Sequence, residues 1–485
     1  MMSRNSSPVL AAVCVCTVLV VGFVAAINLA VPQLAAGSLH PTPSQLLWIV
    51  DAYVVLFACL VIPAGALGDR VGRKGVLLIG LLIFAAGALI SAFAGDVPVM
   101  LAGRAITGVG AACVLPNGLA VLIHATEPAR RPHAIAIWSA VTGAGGILGN
   151  LGGGAILTAG SWRWLFAAVA PIAALCALWV ALAAPRSSRH QRELSPWAAG
   201  LLTLATLALL MGIIEGPSRG WGSAFVVTAF LSAALLATAW VRVELRSAKP
   251  LLDPRLFKIP GLRAASLGML VAFLGMFGFF YLNASLLQYG RGFTVLQAGL
   301  GILPMAVPVL VIARFVPRLV TRFGERTVLG AAFLTIGGGL LGVTTAISRG
   351  YWTYAGWLVV VGFGVAFALP ALTHAITAAM PREQAGVAGG LQSTTRELGS
   401  ALGVAIIGTL LTARFGPHSV AAALAVSPAA HSAVIAAYTD AAATALRVVA
   451  GIVLAAGTLV IADMTLSRRP AGKQPTEPPV LLGRP

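Results

Sequence analysis

Apolar runs of about twenty residues, each closed by a short cluster of charged or turn-forming residues, follow one another along the whole chain. A helix rises about 1.5 Å per residue, so about 20 residues cross the roughly 30 Å hydrocarbon core of a bilayer. Fourteen such runs are legible, near residues 8–31, 46–68, 75–94, 97–123, 133–158, 162–184, 196–214, 222–242, 263–289, 294–317, 327–347, 352–378, 386–412 and 444–466. Numbered as spans 1–14, they predict an all-α polytopic membrane protein. A length of 485 residues would otherwise suggest several soluble domains, but 59% hydrophobic residues and a mean hydropathy of +0.94 exclude that. The first run, preceded by Arg4, has the outline of a signal peptide. It is too long for one and is followed by more membrane, so a retained first helix is expected.

The net charge of +18 would suit a nucleic-acid binder, but its placement points elsewhere. With a cytoplasmic N-terminus, 23 of the 32 Lys and Arg fall in cytoplasmic segments. Six (Arg163, Arg219, Arg291, Arg349, Arg414, Arg447) lie in or beside outer loops, and three (Arg104, Arg314, Arg396) lie inside spans. That asymmetry is the positive-inside rule. The basic excess is therefore a topology signal that puts both termini in the cytoplasm, with the lipid bilayer and not nucleic acid as the large partner. Trp48, Trp162, Trp164, Trp221, Trp352 and Trp357 fall at outer ends, as an aromatic belt would. Five cysteines (Cys14, Cys16, Cys59, Cys113, Cys176) sit in apolar runs without metal-site spacing, so no disulfide, metal or cofactor is expected. Arginine outnumbers lysine 28 to 4, a bias of high-GC bacterial genomes.

Sliding the chain on itself by 252–255 residues aligns four groups of features in order. Asn28 and Gln33 fall over Asn283 and Gln288. Arg70, Gly72 and Lys74 fall over Arg322, Gly324 and Arg326. Pro116 falls over Pro370, and Gly145, Gly149 and Gly154 fall over Gly399, Gly403 and Gly408. The expected organisation is an N-terminal six-helix bundle (1–184), two inserted spans with linkers (185–262), a C-terminal six-helix bundle (263–466) and a disordered cytoplasmic tail (467–485). Repeated bundles of this kind are the mark of secondary transporters, whose halves rock about a central site.

Only 9% of residues are charged, yet "GALGDRVGRK" between spans 2 and 3 carries four charges in six residues. Topology alone accounts for Arg70, Arg73 and Lys74. It does not account for Asp69, nor for Gly65, Gly68 and Gly72, which permit tight turning and close approach. A carboxylate paired with arginines there can hold one rocking state closed and release in the other. The stretch closely resembles the signature loop of the major facilitator superfamily. "LAGRAITGVGAA" in span 4 resembles that family's buried-arginine motif, through Arg104, Gly108 and Gly110. "GGILGNLGGG" in span 5 resembles the antiporter motif GxxxGPxxGG, through Gly145, Gly149, Gly153 and Gly154. "WIVDAY" and "SWRWLF", with the two inserted spans, are similar to the fourteen-helix drug:proton antiporter branch. The resemblance implies a gate at the charged turn and a part for Arg104 in proton coupling. Asn150 replaces the motif's proline. Phe23 stands where relatives often carry a span-1 acid, so proton binding there is not carried over.

Charges at bilayer depth are costly and default to functional roles. Glu397 lies eleven residues into span 13, roughly 16 Å deep, and is the leading proton site. Arg396 points about 100° away on the same helix, so the two need not pair. Asp51 precedes Asp69 by 18 residues, which places it near the outer mouth. By itself that is an exposed interfacial acid; the resemblance makes it a candidate for attracting cations or protons. Arg314 is expected to snorkel, Glu215 and Asp463 to be terminal, and His374 to be packed and hydrogen-bonded. Met276, Phe279, Phe280 and Tyr281, in the aromatic stretch of span 9, are candidates for a substrate cavity.

The expected function is proton-coupled efflux of amphipathic, cationic or aromatic drugs or antibiotics by a monomer in the cytoplasmic membrane of a bacterium. A dedicated exporter of one self-made antibiotic or metabolite fits the same residues. A membrane-embedded enzyme is disfavoured, because the longest outer loop (about 413–443) offers only Asp440, His418 and His431. ATP-driven transport needs a phosphate loop, and none of the four lysines is followed by Ser or Thr.

Overall fold

A computed structural model describes residues 6–41, 43–185, 195–247, 250, 252–380, 385–415 and 431–466. The tail beyond 466 and the inter-span segments at 186–194 and 416–430 lie outside the described residues. Fourteen helices are long and apolar enough to cross a membrane. Spans 1–9 run Ser6–Ala36, Pro43–Val71, Arg73–Ala92, Val97–Ala125, Arg131–Ala159, Trp162–Ala183, Pro196–Arg219, Ala224–Arg246 and Pro260–Arg291. Spans 11–14 run Glu325–Ala346, Tyr351–Ala378, Ala385–Phe415 and His431–Leu466. Their ends carry local signals. Asp96 caps span 4 by accepting from the Val99 amide at 2.8 Å, and Gly292 closes span 9 in the left-handed region at φ 66°.

Two boundaries depart from the pattern. Span 10 is not one helix but three pieces, Val295–Leu300, Leu303–Ile312 and Val316–Phe323, with a 3₁₀ turn at Ala313–Phe315. Pro304 and Pro317 each sit in the first turn of the piece they open, where a missing N–H costs nothing. Span 14 begins at His431, so His431 and Asp440 are helical and not loop residues; His418 lies outside the described residues.

Spans 1–6 pack on one another through the pairs 3·4, 2·4, 1·5, 3·6 and 1·6. Spans 9–14 do likewise through 9·13, 11·12, 11·14 and 9·14. The two groups meet where spans 2 and 4 touch span 13, and where span 5 touches spans 10 and 12. Inserted span 7 lies against both spans 2 and 13, with span 8 packed on its far side. Large apolar side chains such as Ile79, Leu82, Leu182, Leu231, Leu235 and Leu334 face outward, as lipid-facing surfaces require.

Glycine sets the tightest crossings. A Cβ on Gly149 would lie 2.1 Å from the carbonyl oxygen of Gly22, so spans 1 and 5 meet backbone to backbone. In the second group a Cβ on Gly403 would lie 2.3 Å from the carbonyl oxygen of Leu274, which repeats the crossing between spans 9 and 13. Gly72 and Gly324, aligned by the internal repeat, both take positive φ (115° and 81°).

The antiparallel spans 3 and 6 cap each other. At one end Lys74 Nζ donates to the carbonyls of Ala181 (2.8 Å) and Ala184 (2.6 Å), where span 6 finishes. At the other, Arg163 Nη1 donates to Ala92 (3.0 Å) and Ala94 (2.8 Å), where span 3 finishes. Each cation satisfies orphan carbonyls at the negative end of its neighbour's dipole. Arg291 does the same for span 11, reaching Ala346 at 2.9 Å and Arg349 at 2.8 Å.

Candidate substrate and proton site

The charged turn resolves into separate tasks. Gly72 breaks the helix between spans 2 and 3, and across that break Asp69 accepts from Arg73 Nε at 2.7 Å. Asp69 is fully buried, Arg73 nearly so, and Arg70 is exposed. Lys74 is spent on span 6. Gly65 is buried within span 2. Gly68 admits Asn117 of span 4: a Cβ there would fall 1.6 Å from Asn117 Oδ1. Asn117 in turn donates to Ala64 and Cys113 carbonyls at 3.2 and 2.9 Å. Removing one partner of a buried ion pair costs about 3–5 kcal/mol. Asp69→Asn is therefore expected to cut export more than about tenfold while the protein still inserts. Arg130→Gln, in the exposed turn before span 5, should stay near parental. Equal transport by the two variants, measured in whole cells with matched expression, would reduce the turn to a basic loop.

Arg104 is fully buried in span 4. Its Nε donates to the Ile49 carbonyl at 2.8 Å and Nη2 to Val50 at 3.3 Å, both in span 2. The guanidinium lies 5.0 Å from the ring centre of Phe23 and 4.9 Å from that of Tyr53. Phe23 itself packs edge-on against Phe84 and Phe166. Where a carboxylate would answer the arginine's charge, this chain uses carbonyl dipoles and ring faces, which favour a cation once water is excluded.

Glu397 and Arg396 are 5% and 3% exposed. Despite pointing apart on the helix they pair: Arg396 Nε and Nη2 reach Glu397 Oε1 at 3.1 and 3.0 Å. They line a cavity of about 10 Å³ with Val20, Val21, Val24, Tyr53, Phe57 and Phe277, room for roughly one water. Spans 1 and 2 supply one wall, spans 9 and 13 the other, so the pair lies on the seam between the two six-span groups. Tyr53 touches both charged clusters: Arg104 lies over its ring, and it lines the cavity with Arg396 and Glu397.

Asp51 is half-buried and follows Val50, whose carbonyl accepts from Arg104. Glu215 is not a bland terminal acid: it is buried and accepts from Trp48 Nε1 at 2.8 Å and Arg219 Nε at 2.5 Å. That contact joins inserted span 7 to the start of span 2. Asp463 pairs with Arg263. Arg314 is exposed in the 3₁₀ turn beside Phe315. His374 is exposed, not packed, since its helix turns that face outward.

The span-9 candidates disperse. Met276 and Phe279 are core residues, Phe280 is half-buried against Gly146, and Tyr281 is 39% exposed. Their neighbour Phe277 is the aromatic that faces the cavity. Phe57 and Tyr53 were missed as cavity residues. Their four-residue spacing on one face of span 2 was the available signal. Of the span-5 glycines, Gly145 meets Val21, Gly149 meets Gly22, Gly153 meets Ala26, and Gly154 is buried. With Asn150 in place of proline, span 5 runs unbroken from Arg131 to Ala159.

Two packed six-span groups and two inserted spans, with a buried, charged seam between the groups, define a membrane transport fold. The model of the Major Facilitator Superfamily matches residues 13–404, and the chain belongs to that family. It is 34% identical over 403 residues to the methylenomycin A resistance protein of Streptomyces coelicolor, covering 81% of this chain and 85% of that one. It is 33% identical over 396 residues to the methyl viologen resistance protein SmvA of Salmonella typhimurium, covering 80% and 79%. Among solved structures, the human organic anion transporter MFSD10 superposes with a TM-score of 0.66 at 18% identity, covering 94% of this chain and all of that one, a likeness of fold alone.

Proposed function

We propose that the protein exports amphipathic, cationic or aromatic drugs or antibiotics across the cytoplasmic membrane in exchange for protons, by alternating access. The observation that carries this is the acid–base pair Glu397–Arg396, buried on the seam between two six-span groups. A carboxylate there can be reached from either side only if the groups rock apart at one end and then the other. Glu397 takes the proton, Arg104 holds span 2 in register beside it, and Asp51 draws cations at the outer mouth. The Asp69–Arg73 pair belongs to the gate at the cytoplasmic end, where both termini lie. Two six-helix bundles, 1–184 and 263–466, are the moving parts of a monomer, and spans 7 and 8 accompany them.

Relatives support the substrate class. Methyl viologen is an aromatic dication, and resistance to it is the named property of one relative. A narrower reading, export of a single self-made antibiotic, is favoured by the methylenomycin A resistance protein of a Streptomyces. Efflux of ethidium and an antibiotic panel from expressing cells separates the two. Broad efflux abolished by a protonophore is expected. Efflux of one compound alone would favour the narrow exporter, and efflux indifferent to the protonophore would sink proton exchange.

A further inference from the structure

In the seam cavity Arg396 is the charged group that proton exchange leaves without a task. Neighbouring side chains on a helix leave it about 100° apart, so their pairing is not a default of helix geometry. The arginine turns back onto Glu397 and is held there by two rings. Its guanidinium lies 5.7 Å from the ring centre of Phe57 in span 2 and 5.5 Å from that of Phe273 in span 9. A buried carboxylate without a partner is costly. The other polar group on the cavity wall, the Tyr53 hydroxyl, donates to the Val20 carbonyl at 3.3 Å. Beyond it Arg104 donates to span 2 carbonyls. In this small cavity the charge of Glu397 is thus answered by a cation belonging to the same helix.

We infer that Arg396 is a tethered counter-cation: it occupies Glu397 when no substrate is bound, and a transported organic cation has to displace it. This rests on the export reading of the same site and adds a basis for discriminating substrates. A cation gains the carboxylate that the arginine gives up. An uncharged amphiphile gains nothing from the exchange and is held by rings and valines alone. Phe57 comes from one group and Phe273 from the other, so parting the groups takes one ring away. The arginine is loosened as the cavity opens.

The test is binding of tetraphenylphosphonium, and of uncharged triphenylphosphine oxide, to the full-length protein in nanodiscs at alkaline pH, where protons compete least. Arg396→Gln is expected to tighten tetraphenylphosphonium about tenfold and to leave the uncharged ligand within about twofold. Arg396→Lys, which keeps the charge, should stay near the parent, and Glu397→Gln combined with Arg396→Gln should lose the gain. Phe273→Leu, which keeps the arginine but removes one of its rings, should shift cation binding the same way by less. This second variant decides the matter if Arg396→Gln does not fold. Equal changes for both ligands, or weaker cation binding in Arg396→Gln and Phe273→Leu, would overturn the counter-cation role. A parent that exports under a proton gradient while its cation binding ignores Arg396 refutes only that role. A parent with no protonophore-sensitive export refutes the transport reading beneath it.

Discussion

Reconstituted vesicles carrying Glu397→Gln are expected to release no protons when substrate is added, and their gradient-driven export should fall close to that of empty vesicles. Glutamine keeps the shape of the side chain and can still accept from Arg396, so the seam keeps its shape, at the cost of about 3–5 kcal/mol for an unanswered buried charge, and an uncharged substrate should still bind. What it cannot do is change protonation state, and exchange requires that one site hold a proton in one half of the cycle and lose it in the other. Among the described acids at the seam, Glu397 alone lines the cavity shared by both groups. Asp51→Asn should act differently. A half-buried carboxylate that does not line the seam cavity, Asp51 should matter more for cationic than for uncharged substrates. If Glu397→Gln vesicles exported at the parental rate, Glu397 would be a structural partner of Arg396, and Asp51 would become the leading coupling residue.

The second large effect is on folding. Gly149→Val is expected to destabilise the protein by more than about 3 kcal/mol, beyond ordinary overpacking, because the atoms in the way are backbone. The new Cβ would meet Gly22 at its oxygen, Cα and carbonyl carbon at 2.1, 2.2 and 2.4 Å, none of which can rotate aside. Spans 1 and 5 would have to part, and with them the packing of the first group. Gly152→Ala is the matched control. A Cβ at Gly152 meets nothing within 4 Å, so the change should be neutral or add about 0.5–1 kcal/mol of helix stability. Thermal unfolding in detergent, followed by the monodisperse fraction on gel filtration, reads both. A Gly149→Val protein as stable as the parent would mean that the crossing is looser than the backbone contact indicates.

Spans were legible because bilayer thickness imposes a length and an apolar content on each, and the repeat was legible because glycines at crossings cannot drift. Gly149 and Gly403 kept register for the same reason: in both groups a helix backbone lies where a side chain would be. Span 10 was read as one helix because hydropathy is blind to proline placement, although Pro304 and Pro317 were in view. The start of span 14 was missed because Asp440 interrupts the apolar run that begins just after His431. In the charged turn, counting positive residues assigned Lys74 to topology, whereas it caps span 6, more than a hundred residues away in sequence. No local pattern could reveal that contact. The pairing of Arg396 with Glu397 escaped for a related reason: helix geometry fixes the direction of Cβ, but an arginine is long enough to turn back. The orientation of span 9 was legible only in part. Met276, Phe277, Phe279 and Phe280 are all apolar, so periodicity could not say which of them would meet the seam.

The mutual capping of spans 3 and 6 has a mechanical consequence. Lys74 and Arg163 grip carbonyls at opposite ends of one antiparallel pair. A piston stroke of one helical turn, about 5.4 Å, would carry both cations away from their carbonyls at once. The two helices therefore behave as one plank fastened at both edges, free to tilt with its neighbours but denied any sliding. Motion of this pair is expected to be tilting, with the compliant joints where such fastenings give way to glycine and proline, at Gly72 and in the broken tenth span.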